Sequence, residues 1–129
     1  IVSQILQGKN KIEVGNINYF RNFVYIDDIV DALALLLEKR DKCRNEIFNV
    51  SESSVKVAQI LKSIKSLATT YLNRDIKFSR SGKLARPSSL ESKKFSLDCS
   101  KIAKIGWEPK IRFDIGLKKT FLAFLNENG

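Results

Sequence analysis

Nine consecutive residues, Ile29-Val30-Asp31-Ala32-Leu33-Ala34-Leu35-Leu36-Leu37, carry a single charge. At helical periodicity such a segment has almost no polar face, and a helix of that kind is buried on several sides. The residues ahead of it set its start. Arg21 leads into a short strand over 22 to 26, and Asp27 or Asp28 is expected to cap the helix, which then runs to about Lys39. Asp31 places negative charge in the first turn, and Lys39 and Arg40 place positive charge in the last, both favourable against the helix dipole. In a chain of 129 residues an all-apolar helix implies a second layer packed on it, and that layer need not belong to this chain. A guanidinium fixed beside a buried strand is suited to hold an anion, so the segment also points to a phosphate-bearing small molecule.

A chain of 129 residues fits one domain or part of a larger one. A hydrophobic content of 43% and a charged content of 29% belong to a folded chain and exclude a disordered one. No apolar run approaches the ~20 residues that span a bilayer, and residues 1 to 7 carry no signal-peptide pattern. No membrane partner is expected, and the cytoplasm is the default setting. The chain has no methionine and opens at helical spacing in Ile1-Val2-Ser3-Gln4-Ile5-Leu6, as expected of an excised piece of a longer polypeptide.

The net charge of +9 raises nucleic-acid binding through phosphate contacts. The lysines are spread at helix-surface spacing, no block of five like charges occurs, and no aromatic-basic alternation is present. That pattern favours a solvated surface over a nucleic-acid partner. Two cysteines, Cys43 and Cys99, are too few for a disulfide framework. With no histidine, the composition argues against a zinc site of the usual ligands and excludes a Ser-His-Asp or Cys-His nucleophile within the chain. The sequon Asn49-Val50-Ser51 is attributed to chance in the absence of a secretory signal.

The remaining punctuation predicts an α/β order. Residues 1 to 7 end a helix at Gly8, Lys11 to Val14 is a strand, and Gly15-Asn16 is a turn. Glu46 to Val50 reads as a strand of a parallel sheet, completing a strand-helix-strand crossover. Ser53 or Ser54 is expected to cap a helix whose apolar face is Val57, Ile60, Leu61, Ile64, Leu67 and Ala68. A strand over Asp75 to Ser79 leads into a polar loop, Ser79 to Lys94, long enough to suggest a binding segment. Asp98 or Ser100 is expected to cap a helix through Ile105. Gly106 sits where a left-handed residue is wanted, and Trp107 follows as its apolar contact. Asp114 starts a last helix with Phe113, Leu117, Phe121, Phe124 and Leu125 on one face.

The six glycines, at 8, 15, 82, 106, 116 and 129, are too sparse for a dinucleotide fingerprint, and no tyrosine is followed four residues later by lysine. What is present resembles the carboxy-terminal part of the nucleotide-sugar epimerase/dehydratase family, the extended short-chain dehydrogenases. Arg21-Asn22-Phe23-Val24-Tyr25-Ile26-Asp27-Asp28-Ile29-Val30-Asp31-Ala32 resembles the family's "RDFVYVDDIVDA" element, and Glu46-Ile47-Phe48-Asn49-Val50 its "E-V-Y-N-I" strand. Arg86-Pro87 resembles its "RP" loop. Asp98-Cys99-Ser100-Lys101, Gly106-Trp107-Glu108-Pro109, Gly116-Leu117 and Thr120 resemble its ending. The order Gly15-Asn16 then Arg21 is similar to the GDP-mannose dehydratase and reductase branch. Asn22 stands where the family usually has an acid.

The resemblance implies a Rossmann-type α/β protein. Residues 1 to 129 would form its substrate-binding carboxy-terminal part, inactive without an amino-terminal domain that binds NAD or NADP and carries a catalytic tyrosine and lysine. It implies a nucleotide-diphosphate sugar as partner, with Arg21 and Arg86 on the diphosphate and Asn16 as a further substrate contact. Planar guanidinium forks suit phosphate oxygens. The expected parent reaction is 4,6-dehydration or 4-keto reduction of a GDP-hexose; a UDP- or dTDP-sugar epimerase or dehydratase is the alternative. No catalytic residue, bound cofactor or metal is expected in this chain. Assembly as a homo-oligomer, a basic nucleic-acid module and a protein-interaction module stay open as further readings.

Overall fold

The computed structural model describes residues 1–81 and 96–127. Arg86 and most of the expected 79-to-94 loop lie outside the described residues. The chain opens with α1 (Val2–Leu6), closed by Gly8 at φ +94°, a conformation that costs a glycine little. β1 (Lys11–Val14) follows with the alternation of a half-buried strand. It pairs in parallel with β4 (Lys77–Arg80), Lys11 opposite Lys77 and Val14 opposite Arg80. Against this pair packs α4 (Val57–Leu72), whose Leu61, Ile64 and Ala68 join Ile5, Ile12, Val14, Ile76 and Phe121 in one buried cluster. The α4 face expected from the sequence is the face that is buried.

A second sheet corrects two expectations. The strand after Asn16 is β2 (Phe20–Phe23), earlier than 22 to 26, and it pairs antiparallel with β3 (Ser53–Lys56). Ser53 and Ser54 are therefore ladder residues and not helix caps. The first two N–H groups of α4 are satisfied by the chain that precedes β2: Val57 N donates to Tyr19 O at 2.8 Å and Ala58 N to Ile17 O at 3.0 Å. Residues 46 to 50 are not a strand here, so the parallel crossover through them is absent among the described residues. A strand needs a ladder partner, and this segment has none within the described chain.

The apolar helix is α2 (Ile26–Glu38), followed by α3 (Arg40–Cys43). Tyr25 is its cap residue and makes no side-chain cap bond, so neither Asp27 nor Asp28 caps it. Both lie inside the first turn, where negative charge is favoured. Lys39 closes the helix and reaches across to Ile105 O at 2.5 Å. Only Ala32 among the apolar residues of α2 is buried, so the helix is not enclosed on several sides within this chain.

Ala32 packs with Ile102 and Trp107 in a second cluster, joined by Phe48 and Val50. Here α5 (Ser100–Ala103) begins after Asp98, whose Oδ1 accepts from Ser100 N at 2.9 Å. That bond holds the Asp98 carboxyl below the usual carboxylate range. Cys99 is the cap residue itself. Gly106 N donates to Ala103 O and Trp107 N to Ile102 O, at 2.9 and 3.3 Å, with Gly106 at φ +101°. These are the two closing bonds of a Schellman motif.

The last helix, α6 (Phe113–Glu127), starts with Phe113 N on Glu52 Oε2 at 3.1 Å. It passes so near Tyr25 that a Cβ at Gly116 would lie 3.0 Å from Tyr25 Cδ2. Gly116→Val is expected to lower the unfolding free energy by about 1–3 kcal/mol through overpacking. An unchanged urea midpoint would show that Tyr25 yields freely.

Candidate functional site

Parallel strands direct their carboxyl ends to one side, and in open α/β sheets ligands collect there. For β1 and β4 those ends are Val14 and Arg80, joined past the ladder by Ser81 N donating to Val14 O at 3.0 Å. Two candidate elements leave from this edge. From β1 the chain passes through Gly15 and Asn16 towards β2. From β4 it enters the segment that contains Arg86.

Asn16 shapes the first of these paths. Its Oδ1 accepts from Asn18 N at 3.0 Å, which folds residues 16 to 18 into an Asx turn. The turn is tied to the start of α4 by the bonds to Ile17 O and Tyr19 O. Arg21 then lies on β2, opposite Val55, in a ladder that fixes its Cα. It is exposed; Nη1 donates to Phe20 O at 3.0 Å, and Cζ lies 5.9 Å from the centre of the Tyr19 ring. An aromatic face beside a guanidinium restrains the orientation of its fork.

The structure thus puts Arg21 on a rigid strand and Asn16 in the turn that leads to it. Arg86 cannot be placed against them, because it lies outside the described residues. Sequence reasoning overlooked Asn22 and Tyr19. Asn22 Oδ1 accepts from Leu97 N at 3.2 Å, so β2 also anchors the chain that returns after the Arg86 segment. The sequence signal was present: Asn22 is the position that departs from the family's usual acid.

A cavity of about 210 Å³ lies elsewhere, between β2 and the start of α6, lined by Phe23, Val24, Tyr25, Ile111, Phe113 and Glu52 among others. Its polar lining groups are already engaged: Glu52 accepts the Phe113 N–H, Thr120 Oγ1 donates to Gly116 O at 2.9 Å, and Arg112 pairs with Asp114 at 3.3 Å.

The fold is mixed α/β, with Asn16 in the turn that leaves the carboxyl end of β1 and Arg21 on the neighbouring β2. The family model described as GDP-mannose 4,6 dehydratase matches residues 1–120. The chain belongs to this family, the NAD-dependent nucleotide-sugar epimerases and dehydratases of the extended short-chain dehydrogenase type. It is 28% identical to the dTDP-glucose 4,6-dehydratase of Haemophilus influenzae, over 97% of this chain and 38% of that one. The crystal structure of UDP-glucose 4-epimerase with UDP-glucose from Thermotoga maritima is 27% identical, with TM-score 0.74 over 99% of this chain and 38% of that one. The UDP-glucuronic acid 4-epimerase of Bacillus cereus, in complex with UDP-glucuronic acid and NAD, shares the fold at 19% identity and TM-score 0.78, over 98% of this chain and 38% of that one. The chain spans about 38% of the length of the curated relatives it matches.

Among the described residues no helix is long and apolar enough to cross a membrane. The family implies a nicotinamide cofactor, and the described residues do not supply the glycine-rich turn that would cradle its diphosphate. They contain no glycine-rich strand-to-helix turn, and the leading N–H groups of α4 are already bonded to Tyr19 O and Ile17 O.

Proposed function

We propose that this chain is the substrate-binding, carboxy-terminal part of an NAD(P)-dependent nucleotide-sugar enzyme. Its dinucleotide-binding domain and catalytic tyrosine and lysine then belong to the remaining length that the relatives carry. Arg21 and Arg86 clamp the diphosphate from two separate segments, and Asn16 contacts the substrate from the turn before β2. The observation that carries this reading is Arg21: an exposed guanidinium on a hydrogen-bonded strand, in a chain matched to the family over residues 1–120. A diphosphate fixed at two points orients the sugar carbon for chemistry supplied elsewhere.

The favoured substrate is a GDP-hexose, undergoing 4,6-dehydration or 4-keto reduction. It is supported by the GDP-mannose 4,6 dehydratase model and by the Gly15-Asn16 to Arg21 spacing. A dTDP- or UDP-sugar is the second reading, favoured by the Haemophilus and Thermotoga relatives. Isothermal titration of the whole protein with GDP-mannose, dTDP-glucose and UDP-glucose separates them. Arg21→Ala is expected to weaken the preferred ligand by about 10- to 150-fold, the loss of one or two charge-assisted bonds. Equal affinity in variant and parent would remove Arg21 from the site.

A further inference from the structure

Glu52 carries both walls of the cavity between β2 and α6. Its backbone N donates to Phe23 O at 2.7 Å, and its Oε2 accepts from Phe113 N at 3.1 Å. About one turn further along, α6 rests on Tyr25 at Gly116, where no side chain intervenes. The start of α6 is thus pinned against residues 23 to 25 at two points, and residues at both line the cavity of about 210 Å³. Walls held in this way do not close on a void, because packed interiors relax only partially around missing volume. The apolar lining is Phe23, Val24, Tyr25, Ile111, Phe113 and Leu117. Phe23 and Phe113 meet at 59° with ring centroids 5.0 Å apart, a tilted pair that fixes the orientation of both. Glu52, Arg112 and Thr120 are bonded elsewhere, which leaves water few partners and favours an apolar occupant.

We propose that this cavity is a binding site for a neutral aromatic molecule of one ring or two fused rings. Size sets the limits: an apolar cavity of about 150 Å³ admits benzene, and pockets for drug-sized ligands begin near ~300 Å³. At about 210 Å³ the space lies between the two. Chemistry sets the class. Phe23, Tyr25 and Phe113 offer ring faces and edges to an aromatic guest. A carboxylate would enter beside Glu52, and the cation in the lining, Arg112, is already paired with Asp114. The site does not depend on the nucleotide-sugar reading: Arg21 is not among its lining residues. A side chain from outside residues 1–129 is the competing occupant, since the relatives are longer than the stretch this chain matches.

Indole, titrated into the methyl-labelled full-length protein and followed by NMR, tests this. One saturable site is expected, with Kd about 0.1–1 mM, as ligand efficiency allows for so few atoms. Nuclear Overhauser contacts are expected from the indole protons to the methyls of Val24 and Leu117. Indole-3-carboxylate, which adds a charge to the same rings, is expected to bind at least about 10-fold more weakly. Ile111→Phe adds volume inside the cavity and is expected to weaken indole by at least about 10-fold. Should that variant not fold, the contacts to Val24 and Leu117 decide the matter in the parent protein alone. No saturable binding at about 10 mM indole would overturn the proposal, and that is the result if another side chain fills the cavity. Contacts to other residues, equal affinity for the carboxylate, or unchanged affinity in folded Ile111→Phe would each do the same.

Discussion

Replacing Asp28 by alanine is expected to lower the free energy of unfolding by about 3–5 kcal/mol. Asp28 is 1% exposed, and its two carboxylate oxygens accept from Lys110 N and Ile111 N, each at 3.0 Å. Hydrogen bonds to a carboxylate acceptor are worth about 1.5–3 kcal/mol apiece, and removing it leaves two part-buried N–H groups without that partner. Against a typical total of about 5–15 kcal/mol, the variant would lose much of its folded population at physiological temperature. Asp28→Asn retains one acceptor but sets an NH₂ group against the second N–H, so it falls between parent and alanine. Asp27 is the internal control. Its side chain is 64% exposed, with Lys119 at 3.9 Å, and Asp27→Ala is expected to change stability by no more than about 0.5 kcal/mol. Urea unfolding of the three variants checks the order, and equal effects at 27 and 28 would refute the assignment.

The two aspartates show where sequence reading stops. Both fit the first turn of a helix, and local chemistry does not separate them. What distinguishes Asp28 is a pair of backbone N–H groups 82 and 83 residues further along the chain, which carry no side-chain signature. Local features were legible for the opposite reason. β1 needs only its alternation, α4 its apolar spacing, and the Gly106–Trp107 turn a left-handed glycine followed by an apolar contact. Ser53 and Ser54 misled because serine suits a helix cap as well as a short antiparallel ladder, and only the pairing with β2 decides between them. Residues 46 to 50 alternate as a strand does, but no ladder partner meets them among the described residues, so the expected strand does not form. At the candidate site, Arg21 and Asn16 were visible as residue types in order. The role of Asn22 was not, because Leu97 approaches it from 75 residues away.

Trp107→Ala is expected to cost about 3–5 kcal/mol, the range for emptying a buried aromatic site. Its ring is 4% exposed among Ala32 and Ile102, and Nε1 donates to Asp28 O at 3.0 Å. Trp107→Phe separates the two contributions. It keeps most of the packing and loses the Nε1–H bond, at about 1 kcal/mol plus a small cavity term, because Asp28 O retains access to the α2 helical ladder. Trp107 and Asp28 pin the same stretch, residues 107 to 111, to the first turn of α2 from two points. Once either anchor is gone, the stretch is free to move and the other anchor holds less. The Asp28→Ala/Trp107→Ala double variant is therefore expected to lose less than the sum of the single variants, with a coupling of about 0.5–3 kcal/mol. If the two losses add within about 0.3–0.5 kcal/mol, the anchors act independently and the 107-to-111 stretch is held by something else.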